Sequence, residues 1–338
     1  MLEEKPKVSV IVQTYNHSKY IAQALDSVLS QKTNFPIEII TSEDCSTDDT
    51  RVKLLSYQAR HPHRIKLLLS SNNLNTNIVG ARAFEAAAGR YIALLDGDDF
   101  WTCSSKLQEQ ADFLDIHSKY AMCYHNAALV NESSVAVGAH YVEGDVPSSK
   151  RFSHITRHNF IPSCSAFFRR DTILPLPSWY STAIFGDWPL YLLAAQHGYI
   201  YYSPRVHSAY RVHSQGLWSG QTKEKKLLTS LEFLESMREL FETDVNNRAQ
   251  SDRAFEAGIM HACYCVAVHY EAMGDRAAAR RYLARALRQR SFGENWMDGL
   301  GLRSFGRLCA PQLFSAIKWV IRRKWANPTD KSSSGNNG

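Results

Sequence analysis

Four short apolar runs, VSVIV (8–12), IEIIT (37–41), IKLLL (65–69) and YIALL (91–95), recur along the first hundred residues with polar or helix-forming sequence between them. Runs that are apolar almost throughout, rather than at alternate positions, predict strands covered on both faces, as in a parallel sheet. Between the first two, SKYIAQALDSVLSQK places Ile21, Ala24, Leu25, Val28 and Leu29 on one helical stripe. Ser46-Thr47-Asp48-Asp49 offers an N-cap and an acidic first turn to a second helix, and Arg82 to Ala88 reads as a third, closed by Gly89. Strand and helix therefore alternate, which predicts an α/β, doubly wound, mostly parallel sheet.

In such sheets ligands sit beyond the carboxyl ends of the strands. Those ends are followed here by Gln13-Thr14-Tyr15-Asn16, Glu43-Asp44, Ser70-Ser71-Asn72-Asn73 and Asp96-Gly97-Asp98-Asp99. QTYNH has no glycine, and G-x-x-x-x-G-K-[ST] is absent from the chain, so a Rossmann dinucleotide fingerprint and a phosphate loop are both excluded. Other modes of nucleotide binding are not.

LLDGDDFW (94–101) sets three carboxylates in four positions at the end of an apolar strand. Asp96, Asp98 and Asp99 repel one another at neutral pH, so the fold needs water, a basic partner or a cation there. Carboxylates at a strand end suit Mg²⁺ or Mn²⁺, which keep waters and bind substrate phosphates through one or two protein carboxylates. The competing reading is a solvated acidic turn capping a helix that begins near Ser104. A calcium loop is disfavoured, because FWTCSS lacks the later oxygen ligands and the closing Glu.

From about residue 120 the pattern loosens. YAMCYHNAALV, SAFFRR and YIYYS read as further strands, and a helix from Asp187 to His197 stops at Gly198. After Trp218 the chain turns helical. AGIMHACYCVAVHYEAMGDRAAARRYLARALRQRS reads as two striped helices turning at Met273-Gly274-Asp275, similar to one tetratricopeptide-type pair. The chain of 338 residues, 44% hydrophobic and 21% charged, is long enough for one substantial core and a smaller unit. Its seven cysteines lack paired C-x-x-C spacing, which argues against a disulfide framework and a structural zinc site. The net charge of +6 is concentrated at the end, where residues 275–326 hold twelve Arg and Lys against Asp275, Glu294 and Asp298. No stretch reaches the roughly 20 apolar residues of a membrane span, and the start is too short in apolar residues for a signal peptide; the expectation is a cytoplasmic protein.

As an ordered set, VSVIVQTYNHSKYIAQALDSVLSQ, EIITSEDCSTDDT, RAFEAAAGRYIALLDGDDFW, KLQEQADFLDIHSKYAMCYHN, SCSAFFRR, GDWPLYLLAAQHG and YRVHSQGLWS resemble the family 2-type glycosyltransferases of the GT-A fold. The resemblance covers about the first two-thirds of the chain. It implies a GT-A domain over 1–220, with a nucleotide-sugar half to about 101 and an acceptor half from about 102. Residues 221–338 are left as a helical region holding the tetratricopeptide-like pair and a basic amphipathic segment.

The resemblance also implies roles. Thr14, Tyr15 and Asn16 match the loop around the nucleoside. Glu43 and Asp44 match a pair of aspartates, one of which contacts the base, with Glu43 departing from the usual residue. Arg82 matches a basic residue near the diphosphate; it is also simply an exposed helix arginine. Asp96 and Asp98 match the D-x-D motif for ribose and metal, with Asp99 an alternative ligand. Arg211 and His213 match positions beside the diphosphate, the arginine for the departing charge and the histidine for the metal. Asp187 matches the catalytic base, and as an N-cap beside a helix dipole it is expected to keep a low pKa. His125, Ser163 and Ser165 are weaker acceptor-side candidates.

The function implied is metal-dependent, inverting transfer of a sugar from a nucleotide-diphosphate sugar to a hydroxyl of a glycan or lipid-linked acceptor, in cell-surface glycan assembly, with Mn²⁺ or Mg²⁺. The alternative is a scaffold on the same fold whose helices bind a partner. Nucleotidyl transfer is a third, lacking its glycine-rich loop. RSFGRLCAPQLFSAIKWVIRRKW (303–325) is either a peripheral contact with the inner face of the membrane or a packed helix with solvated arginines. Nucleic acid is not an expected partner, since no recognised module accompanies the charge.

Overall fold

The computed structural model describes residues 5–216, 218–241 and 248–289. The basic segment at 303–325 and the tail after it lie outside the described residues.

The first half is the predicted alternation: β1 (Val8–Thr14), α1 (Ile21–Leu29), β2 (Ile37–Glu43), α2 (Thr50–Arg60), β3 (Ile65–Leu69), α3 (Ile78–Glu85) and β4 (Tyr91–Asp96). There follow β5 (Phe100–Trp101), α4 (Lys106–Ile116), β6 (Tyr120–Val130), β7 (Ala136–His140), β8 (Ser149–Lys150), α5 (Phe152–Ile155), β9 (Phe167–Arg169), α6 (Trp188–His197) and β10 (Tyr199–Arg211). Three helices end the described chain: α7 (Lys223–Phe241), α8 (Arg248–Ala272) and α9 (Arg276–Leu287).

Strands run in the order β3-β2-β1-β4-β9-β6-β10-β5, with β7 beside β6 and β8 beside β10. β3, β2, β1 and β4 are mutually parallel, as are β6 and β10, while β9 joins β4 to β6 antiparallel to both. The register pairs Thr14 with Glu43, Gln13 with Asp96 and Glu43 with Leu69, so the parallel strands end level and their loops share one edge.

The central strands feed two cores because successive side chains point to opposite faces. Val8, Val10 and Val12 lie with Ile21, Leu25 and Val28 of α1 on one side, where the predicted stripe is buried. Ile11, Ile40 and Leu94 face the other side, in a core that runs through Phe84, Phe168 and Tyr191 into Phe233, Phe255 and Leu283 of the three last helices. The helical region thus shares a core with the sheet. At one contact α8 needs a glycine: a Cβ on Gly258 would lie 2.0 Å from the Thr156 carbonyl oxygen, just after α5.

Two boundaries differ from the sequence reading. The third helix starts at Ile78 and ends at Glu85, ahead of the 82–88 expected. Gly89 does not close it; its N–H instead donates to Ser9 Oγ at 2.8 Å, on the way into β4. β10 continues past YIYYS to Arg211, with register shifts against β6 between Ser203 and Ser208.

Candidate active site

The D-x-D turn is seated on the end of β1. Gly97 N–H donates to the Gln13 carbonyl at 2.8 Å, and a Cβ on Gly97 would meet Thr14 Oγ1 at 2.7 Å and His17 Nδ1 at 2.8 Å, so only glycine lets the turn approach this closely. Asp96 turns inward and its Oδ2 accepts the Ser163 hydroxyl at 2.6 Å. Burial, then the neighbouring charge of Asp98, pushes its carboxyl up to about 7.

Asp98 is different. Its Oδ2 lies 2.9 Å from His213 Nε2 and 3.7 Å from His17 Nε2. Burial alone would raise it, but the His213 hydrogen bond and the His17 interaction outweigh burial and hold it below the usual carboxylate value, so it is ionised at neutral pH. Burial pulls His17 itself below the ordinary histidine value against the opposing pull of the Asp98 charge. One charged oxygen with two imidazole nitrogens fits a divalent first-row ion, and imidazole favours Mn²⁺ over Mg²⁺. Thr14 Oγ1 and His17 Nδ1 beside the turn are buried without hydrogen-bond partners, polar atoms that a bound group could satisfy. His213 lies in the wall of an open cleft of about 470 Å³, with Val212, Ser214, Ser219, Asn131 and Glu132.

The predicted ligand trio splits. Asp99 turns away from Asp98 and His213, its Oδ1 accepting the Arg211 backbone N–H at 2.7 Å. Burial and the charges of Asp98 and Asp96 hold its carboxyl well above the usual range, and its Oδ2 is buried without a hydrogen-bond partner.

Arg211 also departs from expectation. Its side chain donates to the Asp98 carbonyl (2.7 Å), the Asn131 and Glu132 carbonyls and Ser134 Oγ (each 3.0 Å), and Gln23 Oε1 (2.8 Å). The guanidinium stacks over Tyr20 at 4.4 Å. Rather than facing a diphosphate, it clamps the D-x-D turn to the β6–β7 turn and to α1, because the carbonyls that surround it present a ready ring of acceptors.

Along the rest of the edge, Tyr15 and Asn16 are exposed while Thr14 is buried. Asn16, Cys45 and Asn75, in the loops after β1, β2 and β3, all have positive φ, the conformational strain that gathers at ligand-binding edges. Asn16 Oδ1 accepts the Thr47 N–H at 2.8 Å, and Asp44 accepts the Leu74 and Asn75 N–H groups at 2.9 and 3.0 Å, tying neighbouring loops together. Glu43 is fully buried and pairs with Arg51, whose Nε donates to it at 2.6 Å. Its carboxylate therefore holds the loop and does not face a base. Arg82 is exposed on α3.

Asp187 N-caps α6, its Oδ1 accepting the Trp188 N–H at 2.7 Å. Asn159 Nδ2 donates to the other oxygen at 3.0 Å. Contrary to the expected low pKa, burial raises this carboxyl and exceeds the lowering by the Trp188 and Asn159 hydrogen bonds. Asp187 in turn helps raise Asp96, which places both carboxyls in one electrostatic neighbourhood. The segment is braced from two directions. Asn77 Nδ2 donates to the Ala183 and Phe185 carbonyls at 2.8 and 2.9 Å, and Phe233 of α7 packs on Phe185 (5.1 Å) and Trp188 (4.6 Å). His125 is buried, with Nδ1 2.9 Å from its neighbour's carbonyl, and Ser165 Oγ donates to the Pro162 carbonyl at 2.7 Å; neither is among the contacts of Asp187.

Sequence reasoning missed His17, Asn159 and Asn77. His17 had one signal, an imidazole in the loop directly after the first strand; the asparagines had none.

Residues 9–173 match the family described as Glycosyl transferase family 2. The chain carries a family 2 glycosyltransferase domain. An uncharacterized protein of Mycobacterium tuberculosis is 31% identical over 231 residues, which is 65% of this chain and 63% of that protein. The chain therefore spans less than two-thirds of that relative's length. The Escherichia coli UDP-Glc:alpha-D-GlcNAc-diphosphoundecaprenol beta-1,3-glucosyltransferase WfgD is 35% identical over 130 residues, 38% of this chain and 48% of that one. Among solved structures, the mannosyltransferase PcManGT from Pyrobaculum calidifontis, in complex with GDP-Man and Mn²⁺, superposes with a TM-score of 0.55 at 16% identity, covering 98% of this chain and 89% of that chain. That likeness shows the GT-A fold, and the D-x-D turn of this glycosyltransferase domain lies at its sheet's carboxyl edge. Among the described residues no helix is long and apolar enough to cross a membrane.

Proposed function

We propose that the protein transfers a sugar from a nucleoside diphosphate sugar to a hydroxyl of a glycan or lipid-linked acceptor in the assembly of a cell-surface glycan, by a metal-dependent inverting reaction. The observation that carries this reading is the ionised Asp98 set between two imidazoles, with the raised carboxyl of Asp187 acting on Asp96 of the same turn. WfgD by its name uses UDP-Glc and a diphosphoundecaprenol-linked acceptor, which supports the donor and acceptor classes proposed here, and the PcManGT structure holds GDP-Man with Mn²⁺, which supports the donor class and the ion.

Asp98, His213 and His17 would hold the divalent ion, which when bound supplies positive charge against the donor diphosphate. Thr14, Tyr15, Asn16 and Asp44 bound the nucleoside side of the site, Asp96 the ribose, and Arg82, exposed on α3, is placed to meet phosphate. Arg211 is a positioning residue, fixing the turn that carries Asp98. Asp187 accepts the proton of the acceptor hydroxyl as the new C1–O bond forms. The bond from C1 to the diphosphate breaks on the opposite face, and its electron pair leaves with the nucleoside diphosphate. Burial raises the basicity of Asp187, while Trp188 N–H and Asn159 aim its two oxygens.

A panel of UDP- and GDP-sugars, assayed for nucleoside diphosphate release with Mn²⁺ and with EDTA, tests the reading. Release with at least one donor, lost on chelation and in Asp98→Ala, is expected. Release that survives both treatments would contradict the metal role, and none with any donor would contradict the activity.

A further inference from the structure

A second group of ligand atoms lies outside this site. One donor atom each from Cys103, Glu109 and His207 lies within 4.8 Å of the other two, and all three residues are half-buried. They come from three separate elements: the loop after β5, the first turn of α4, and β10. The arrangement is fixed from below. Thr102 N–H donates to the His207 carbonyl at 2.9 Å, which sets Cys103 beside His207, and Ser105 Oγ donates to Glu109 Oε1 at 2.7 Å, which orients the carboxylate.

We propose that Cys103, Glu109 and His207 form a thiolate-containing site for Zn²⁺ or a similarly thiophilic divalent ion, distinct from the D-x-D site. The donor set of one sulfur, one imidazole nitrogen and one carboxylate oxygen suits tetrahedral zinc with water as the fourth ligand. Metal–ligand bonds of about 2.0–2.3 Å put tetrahedral ligand atoms roughly 3.3–3.7 Å apart. His207 Nδ1 and Glu109 Oε2 are already 3.9 Å apart, so closing on an ion takes only rotamer adjustments. Ser105 acts as the outer partner that holds the carboxylate. The main opposing contact is Arg205, whose Nη1 lies 2.7 Å from Glu109 Oε2 and must swing aside or share that carboxylate.

The two sites lie at opposite ends of one ribbon. β5 pairs with β10 through Phe100 and Ala209 and through Trp101 and Ser208; Asp99 meets Arg211 at one end and Cys103 meets His207 at the other. An ion at Cys103 would staple the end of the ribbon remote from the D-x-D turn.

Cobalt titration of the full chain, reduced and metal-free, tests this. A thiolate ligand gives Co²⁺ an intense near-ultraviolet charge-transfer band that oxygen and nitrogen ligands at Asp98 do not. The band is expected to saturate at one equivalent and to be displaced by Zn²⁺. It should be lost in Cys103→Ser and in Cys103→Ala, weakened in His207→Ala, and retained in Asp98→Ala. Arg205→Ala should tighten binding. Absence of the band from the wild-type protein, or its persistence in both Cys103 variants, overturns the proposal. Two-variant agreement, with the circular dichroism of each unchanged, separates ligand loss from misfolding.

Discussion

Asp98 Oδ2 and His213 Nε2 meet at 2.9 Å although 115 positions separate them in the chain. The contact closes the D-x-D turn, which ends the first half of the sheet, against the segment that leaves its last strand. The same junction is locked a second time by Arg211, whose guanidinium donates to the Asp98 carbonyl.

Asp187 must be ionised to take a proton, and burial raises its pKa. Turnover with the donor saturating should therefore fall on the acid side at a pH above the ordinary aspartate value of about 4, with a slope of one proton. Asp187→Asn should lower turnover by about 10²–10⁴-fold while the far-ultraviolet circular dichroism is unchanged. Because the folded state holds this proton more tightly than the unfolded chain, its contribution to stability is complete below the unfolded value and is lost as pH rises through the raised one. Melting curves should thus show wild type gaining on Asp187→Asn as pH falls from 8. A constant difference would mean Asp187 has no raised pKa.

Phe233 is fully buried and packs on the two aromatic rings flanking Asp187. Phe233→Ala should cost roughly 3–5 kcal/mol in urea unfolding. In whatever fraction stays folded, turnover should drop more than donor affinity, since Phe233 packs beside Asp187 and not against Asp98. Equal losses in both would show that α7 supports the whole domain and not the Asp187 segment in particular.

Arg211→Lys keeps a positive charge but cannot reach the Asp98, Asn131 and Glu132 carbonyls together. Leaving such groups unpaired should destabilise by about 1.5–3 kcal/mol. If Arg211 positions the turn, the variant should weaken Mn²⁺ binding as well as donor binding. A variant that loses donor affinity alone, with Mn²⁺ binding and stability intact, would return the guanidinium to the diphosphate.

The backbone order was legible from the sequence because β1, β2, β3 and β4 are apolar on both faces and α1 carries its stripe, signals that each lie within one short window. The strand ends were legible for the same reason. The direction of individual side chains was not. Glu43 looks like a ligand-facing acid until Arg51, eight residues on, turns it into a buried ion pair. Arg211 looks like a phosphate clamp until the turn at 131–134 is folded beneath it. Asp99 and Asp98 are adjacent and chemically identical, yet one faces a backbone N–H and the other two imidazoles, a choice made by β10 and by His17 and invisible in D-G-D-D alone. The raised carboxyl of Asp187 was missed because the helix end argues for a low value and only the surrounding core argues the other way.

The central claim is that Asp98, with its histidines, holds the ion through which the donor diphosphate is bound. Calorimetric titration of UDP or GDP into the full chain, with and without saturating Mn²⁺, tests it directly. Binding of one nucleotide that requires Mn²⁺ in the wild type and is lost in Asp98→Ala is the expected result. Binding of equal strength without Mn²⁺, or undiminished in Asp98→Ala, would contradict it.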